Sequence, residues 1–168
     1  ELVDAVMKQA GITEYKTVQK CLGEDLEGVL CKHPFLDRES RVVLGSDDTI
    51  VVELDTGTGA VHTAPGYGKE DYLCGLKNGL ETVVCVDGKG YQTEEAGQFA
   101  GLFYEESNEA IIKWLEENHN LLSKETIVHS YPHCWRCKKP VIFRATNQRF
   151  AAVDGFREKA LEEIKKVK

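Results

Sequence analysis

The chain has 168 residues, enough for one domain with a real core and too few for two comfortable ones. Its 21 basic and 28 acidic side chains give a formal charge of −7, which excludes a nucleic-acid binder that works through a whole-surface field; any RNA contact must be local. No apolar run approaches membrane-spanning length and nothing resembles a signal peptide, so a soluble cytoplasmic protein with no membrane partner is expected.

In chain order, Leu2, Val3, Val6, Met7 and Ala10 fall on one helical face, and Gly11 suits a left-handed cap. The chain is therefore expected to open directly on a helix, without a disordered leader. Short runs rich in Val, Ile and Thr follow at 14–20, 26–31, 41–44, 49–54, 58–63 and 82–86, separated by Gly, Asp and Pro. So many strands imply a sheet that curls or closes. A helix over 69–78 ends on Gly79. Another, over 108–122, presents Ile111, Ile112, Leu115 and Leu122 on one side behind a Ser107 or Asn108 cap. A last helix, 155–167, turns Phe156, Ala160 and Ile164 inward and ends in lysines that suit its C-terminal dipole. The mixture reads as α+β.

The stretch "DTGTGAVHTAPGYGKEDY", residues 55–72, passes from a strand through a glycine-rich loop into a helix. Such loops commonly cradle phosphate on backbone N–H groups, but this one lacks a phosphate-loop lysine and offers a carboxylate instead. Strand alternation puts Val61 and His62 on opposite faces, so His62 is free to leave the core and face a cavity. Pro65 stops the strand, Gly66 and Gly68 let the backbone turn, and Asp71 falls in the first helical turn, where the dipole favours its ionised form. Taken singly, Asp71 is an ordinary helix-start acid and His62 a satisfied histidine. Together they form an imidazole and a fixed anion brought to one turn, a natural partner for a ligand ammonium.

"GTGAVHTAPGYGKEDY", with "HPFLDRES" upstream and "HSYPHCWRCKKPVIFRAT" downstream, resembles the editing domain of isoleucyl-tRNA synthetases, the insertion that hydrolyses mischarged tRNA. The likeness spans nearly the whole chain, and its three motifs occur in the family's order. It implies a single editing domain over 1–168 with a mixed β-barrel core and peripheral helices, the fold shared by the valyl, isoleucyl and leucyl enzymes. Residue by residue, Asp71 matches the aspartate that binds the α-ammonium of the misattached amino acid. His62 matches the histidine that limits side-chain size, and Thr58, Gly59, Thr63, Gly66, Tyr67 and Gly68 belong to the pocket-lining motif. Tyr67 departs from the histidine usual between the two glycines. The resemblance also implies that a threonine-rich strand upstream, absent here, forms another pocket wall. The ATP-binding signatures of the synthetic domain are absent too, so the chain reads as a piece that does not aminoacylate by itself. ATP and magnesium would serve only that synthetic domain.

Editing exists because a synthetic site separates side chains differing by one methylene poorly, and the isoleucine enzyme facing valine is itself a standard example of that limit. The implied reaction is hydrolysis of Val-tRNA(Ile) at the 3′-terminal adenosine ester, after transfer and conceivably before it. It needs an oriented ester and a positioned water but no cofactor. No Ser–His–Asp or Cys–His arrangement argues for a covalent nucleophile. The implied partners are the tRNA(Ile) 3′ end and the rest of the synthetase chain, the isolated domain being a monomer.

Six cysteines stand at 21, 31, 74, 85, 134 and 137. Four are scattered, several within apolar runs, which favours reduced thiols over a disulfide set. Cys134 and Cys137 supply half of a four-ligand zinc site or, equally in keeping with their spacing, two free thiols near a turn. Residues 126–153 contain no acid and carry Arg136, Lys138, Lys139, Arg144 and Arg149 among Tyr131, Trp135, Phe143 and Phe150. This basic, hairpin-like segment, returning to the synthetase body, is the local candidate for RNA contact or a solvated surface. Two readings stand beside the editing domain: a zinc-ribbon-like RNA-binding module around 129–149, and the editing domain of a valyl or leucyl enzyme.

Overall fold

The computed structural model describes residues 2–46, 48–53, 55 and 57–167. Helix α1 is Val3–Gln9, capped through Ala10 and followed by Gly11 at φ 71°. A 3₁₀ turn at Gly23–Leu26 leads into the antiparallel strands β1, Leu30–Lys32, and β2, Glu39–Arg41, paired Leu30 to Arg41, Cys31 to Ser40 and Lys32 to Glu39. Then come α2, Lys69–Asn78, a second 3₁₀ segment at Glu94–Phe99, α3, Tyr104–Glu117, and α4, Arg157–Ile164. The α+β class holds. Among the described residues, the regular sheet is this two-stranded hairpin, supplemented by single bridges at Val86–Gln92, Tyr91–Phe103 and His133–Pro140, and no closed barrel is present.

The hairpin loop is braced from within. The His33 N–H donates to the Arg38 carbonyl at 3.0 Å, and His33 Nδ1 accepts the Leu36 and Phe35 N–H groups at 3.1 and 3.4 Å. That bracing presents Phe35 edge-on to Phe99 at 5.0 Å and to Trp114 at 5.6 Å, docking the hairpin on the second 3₁₀ segment and α3. Aromatic pairs of this kind contribute about 0.5–1.5 kcal/mol beyond the area they bury. Among the described residues, Phe99, Ala96, Val86 and Cys74 are the buried apolar side chains, and the fully buried Ser107 donates to the Tyr104 carbonyl while accepting from Gln92 Nε2, both at 2.8 Å.

Helix α2 coincides with the expected 69–78, and Gly79 closes it at φ 62°. Helix α3 starts and ends earlier than expected: Phe103 precedes it, and Ser107, the anticipated cap, lies inside the helix with its hydroxyl turned into the core. The runs 14–20, 49–53 and 58–63 carry no ladder, and Leu54, the end of the anticipated 49–54 run, falls outside the described residues. Alternation specifies an extended backbone but does not supply the neighbouring strand that turns it into sheet. Helix α4 is shorter than the expected 155–167; its N-cap Phe156 and its last residue Ile164 are exposed and only Ala160 is half-buried, so the apolar stripe expected to face inward is uncovered among the described residues. The chain exposes 14186 Å², against about 8,300 Å² for a compact chain of this mass.

Gly75, inside α2, marks where helix and loop touch: a Cβ there would lie 2.8 Å from Pro65 Cγ. Gly75→Val is expected to cost about 1–3 kcal/mol by overpacking, read as a lower urea midpoint at unchanged slope. Gly23→Ala, where nothing lies within 4 Å of the added carbon, should leave the midpoint in place.

Candidate functional site

The site is built around the start of α2. Gly68 is the N-cap, in an extended conformation, and Asp71 is the third helical residue. Its Oδ1 accepts the Ala64 N–H at 2.9 Å, and its Oδ2 lies over residue 68, where any Cβ would overlap it. Glycine is therefore needed at 68 for clearance rather than for a left-handed backbone. The same holds at Gly66, where a Cβ would strike the Val83 carbonyl. Gly66 in turn accepts the Ala145 N–H at 2.7 Å, which ties the basic segment to the loop, and the Tyr67 N–H returns to the Ala64 carbonyl at 2.9 Å to close the turn.

His62 stands two residues before Ala64, so the Asp71 carboxylate and the imidazole belong to one short loop. Asp71 is half-buried and His62 exposed. The larger cavity, of about 1260 Å³, is an open groove lined by Leu30, Val42, Leu44, Val61, Thr63 and Val83, with Gly59 at its edge. Alternation thus puts Val61 and Thr63 on the groove side, while His62 and Asp71 line neither this cavity nor the smaller one described below. Thr58 is exposed and folds on itself, its hydroxyl donating to the Ala60 carbonyl at 3.0 Å. The Tyr67 hydroxyl is shielded from solvent beside Cys85 and Val86, without a hydrogen bond of ordinary geometry among the described residues. Burial first, then the Cys85 charge, pushes its pKa up.

Sequence reasoning passed over two neighbours of this loop. Burial, then Arg38, then His62 lower the pKa of His33, so the hairpin brings the His33 imidazole within electrostatic reach of His62, with the Arg38 guanidinium acting on His33. Their signal was the "HPFLDRES" motif itself, whose histidine and arginine close the hairpin loop.

In the basic segment, the Cys134 N–H donates to the Lys139 carbonyl and the Lys138 N–H to the Cys134 carbonyl, each at 2.8 Å, and Lys138 sits at φ 60°. The N–H groups of Cys137 and Arg136 face the Cys134 sulfur and lower its pKa, with the Cys137 thiol adding to the effect. This tight turn brings the Cys134 and Cys137 thiols together. Among the described residues, no group of three or more His, Cys, Asp or Glu is gathered to complete a site. Arg136 stacks on Trp135 at 4.9 Å, and Arg149 is exposed. Lys139 and Arg144 line a smaller cavity of about 480 Å³ together with Lys89, a cation the sequence analysis left aside.

No family model matches the chain. Over all 168 residues it is 56% identical to an isoleucine–tRNA ligase of Caldicellulosiruptor bescii and 52% identical to one of Moorella thermoacetica; over 99% of its length it is 53% identical to one of Petrotoga mobilis. Its sequence belongs to the isoleucine–tRNA ligase family. The chain spans about 18% of the length of these curated relatives. As a ligase-family segment it carries the Asp71 loop, the braced hairpin and the cysteine turn on one piece of chain. No helix among the described residues is long and apolar enough to cross a membrane.

The cysteines differ in a way that alkylation reads directly. Cys134 has a lowered pKa and Cys85 one raised, chiefly by burial. With chelator present, Cys134 is expected to react with iodoacetamide at a pH below the ordinary thiol range and Cys85 above it, as followed by peptide mass spectrometry.

Proposed function

We propose that this chain is the editing part of an isoleucine–tRNA ligase and hydrolyses Val-tRNA(Ile) at the ester joining the amino acid to the terminal adenosine. The observation that carries the reading is the Asp71 carboxylate, fixed at the start of α2 by the Ala64 N–H on the loop that bears His62. An anion held there, at a helix N-terminus, suits the α-ammonium of an esterified amino acid. With the ammonium anchored, the ester carbonyl is presented to a water. That water adds to the carbonyl carbon, the bond to the ribose oxygen breaks, and the products are free valine and a tRNA ending in an intact hydroxyl. Orientation supplies the acceleration, and no metal or covalent nucleophile is required.

In this reading His62 measures the side chain. Because His62 is exposed and lines neither cavity of this chain, its ring would become a pocket wall only where the rest of the enzyme closes over it, and there overpacking by one methylene typically costs about 1–3 kcal/mol. The groove beside Val61 and Thr63 is where a neighbouring segment of the parent enzyme would complete a curled sheet toward the barrel of the resemblance. The partners are the tRNA(Ile) 3′ end and the rest of the ligase, in the cytoplasm. ATP and magnesium belong to the parent's synthetic domain. Zinc, at Cys134 and Cys137, would be structural and would take its remaining ligands from the parent enzyme. The turn around Cys134 also favours a second reading, a zinc-ribbon-like RNA-binding module, which requires stoichiometric metal in this chain and is tested by elemental analysis.

In the full-length enzyme, Asp71→Ala is expected to slow single-turnover deacylation of Val-tRNA by about 100-fold or more. His62→Ala should retain that activity and extend it to Ile-tRNA. An unchanged rate in Asp71→Ala would remove the proposed anchor.

A further inference from the structure

The smaller cavity lies among the turn at Asp87–Gly90, the first residues of α3 and the segment 139–146. Its volume, about 480 Å³, falls within the roughly 300–1,000 Å³ of small-ligand sites. Three cations line it, Lys89, Lys139 and Arg144. The ion pairs found among the described residues engage Lys113, Lys124, Arg157 and Lys166 instead, so none of the three is neutralised by a pair.

Two carboxylates, Asp87 and Glu105, share the lining, which leaves an excess of one positive charge, and Lys89 is attracted to Asp87. Asp87 Oδ1 accepts the Lys89 N–H at 2.8 Å and the Tyr91 N–H at 2.9 Å, and these bonds, that of Tyr91 foremost, lower its pKa. Glu105 accepts the Tyr104 hydroxyl at 3.0 Å. Arg144 spends one nitrogen on the Val86 carbonyl at 3.4 Å, which holds the guanidinium over the turn with its remaining donors uncommitted among the described residues. Phe103 and Tyr104 add aromatic surface, and at Gly90 a Cβ would press to 2.8 Å of the Phe103 ring. Residue 90, at φ 92°, is glycine on both counts, and the half-buried Phe103 ring packs against Tyr91 at 5.5 Å and Tyr104 at 4.8 Å.

We propose that this cavity binds one nucleotide of a single-stranded RNA, its phosphate held by Lys89, Lys139 and Arg144 and its base against Phe103 and Tyr104. Unpaired cations beside aromatic rings are the combination that holds single strands, whereas a duplex keeps its bases stacked inside. Within a chain of formal charge −7, this patch is a local exception. The inference rests on the editing reading and deepens it: Ala145, next to Arg144, is hydrogen-bonded to Gly66 of the Asp71 loop, so a strand seated in the cavity runs beside the loop that would receive its 3′ end.

The test is fluorescence anisotropy of this chain with a labelled single-stranded RNA that ends in CCA and carries no amino acid. The double variant Lys89→Gln, Lys139→Gln is expected to lower affinity about tenfold at low salt and to flatten the slope of log K against log salt by about 0.7 for each cation removed. Phe103→Leu is expected to weaken binding about tenfold with the slope unchanged, because stacking is not ionic. Circular dichroism checks that the variants fold. Wild-type affinity and slope in both variants would overturn the proposal, as would an unsubstituted chain that binds no RNA at low salt. The probe has no ester to hydrolyse, so a failed Asp71 deacylation assay leaves this result standing, and a flat salt response here leaves the hydrolytic reading standing.

Discussion

One hydrogen bond organises the loop: the Ala64 N–H to the Asp71 carboxylate. It joins the end of an extended segment to the first turn of α2 and fixes both the position and the direction of a negative charge. Everything around it is arranged to permit it. Residue 68 has no side chain because the carboxylate occupies that space, residue 75 has none because Pro65 does, and residue 66 has none because the Val83 carbonyl does. Gly66, Gly68 and Gly75 thus serve close approach, whereas Gly57 and Gly59, at φ 71° and 78° with open space around them, serve the turn of the backbone.

A helix-start acid and a ligand anchor are not exclusive descriptions of Asp71. The Ala64 N–H holds the carboxylate in place at the start of α2 whether or not anything binds. That is what makes it suited to bind a cation: a charge already oriented by the fold loses little entropy when it meets one. His62 differs. It is exposed, and the hairpin brings His33 within electrostatic reach of it.

What could be read from sequence divides along physical lines. Helix α2 was legible to the residue, because local signals fix both ends: a glycine N-cap followed by acids, and Gly79 at φ 62°. The order of the loop, with Asp71 in the first turn, followed from the same signals. The strands were less legible, since Val- and Thr-rich alternation at 14–20 and 58–63 specifies extension but pairing depends on a distant partner. The start of α3 was misread because Ser107 has the chemistry of a cap and instead serves as a buried bridge between Tyr104 and Gln92. Lys89 was invisible as a site residue, because only the Asp87 turn and the bridges around it bring it beside Lys139 and Arg144.

The bond between Ala145 and Gly66 joins residues about eighty positions apart. Closing a loop of that length carries an entropic cost that local helix formation avoids, so contacts of this kind form late. As the chain leaves the ribosome, α2 and the Asp71 carboxylate bound to Ala64 can assemble from their own neighbourhood. The glycine loop gains its outer support only once residue 145 has emerged, and until then a nascent chain carries the anchor without its clamp.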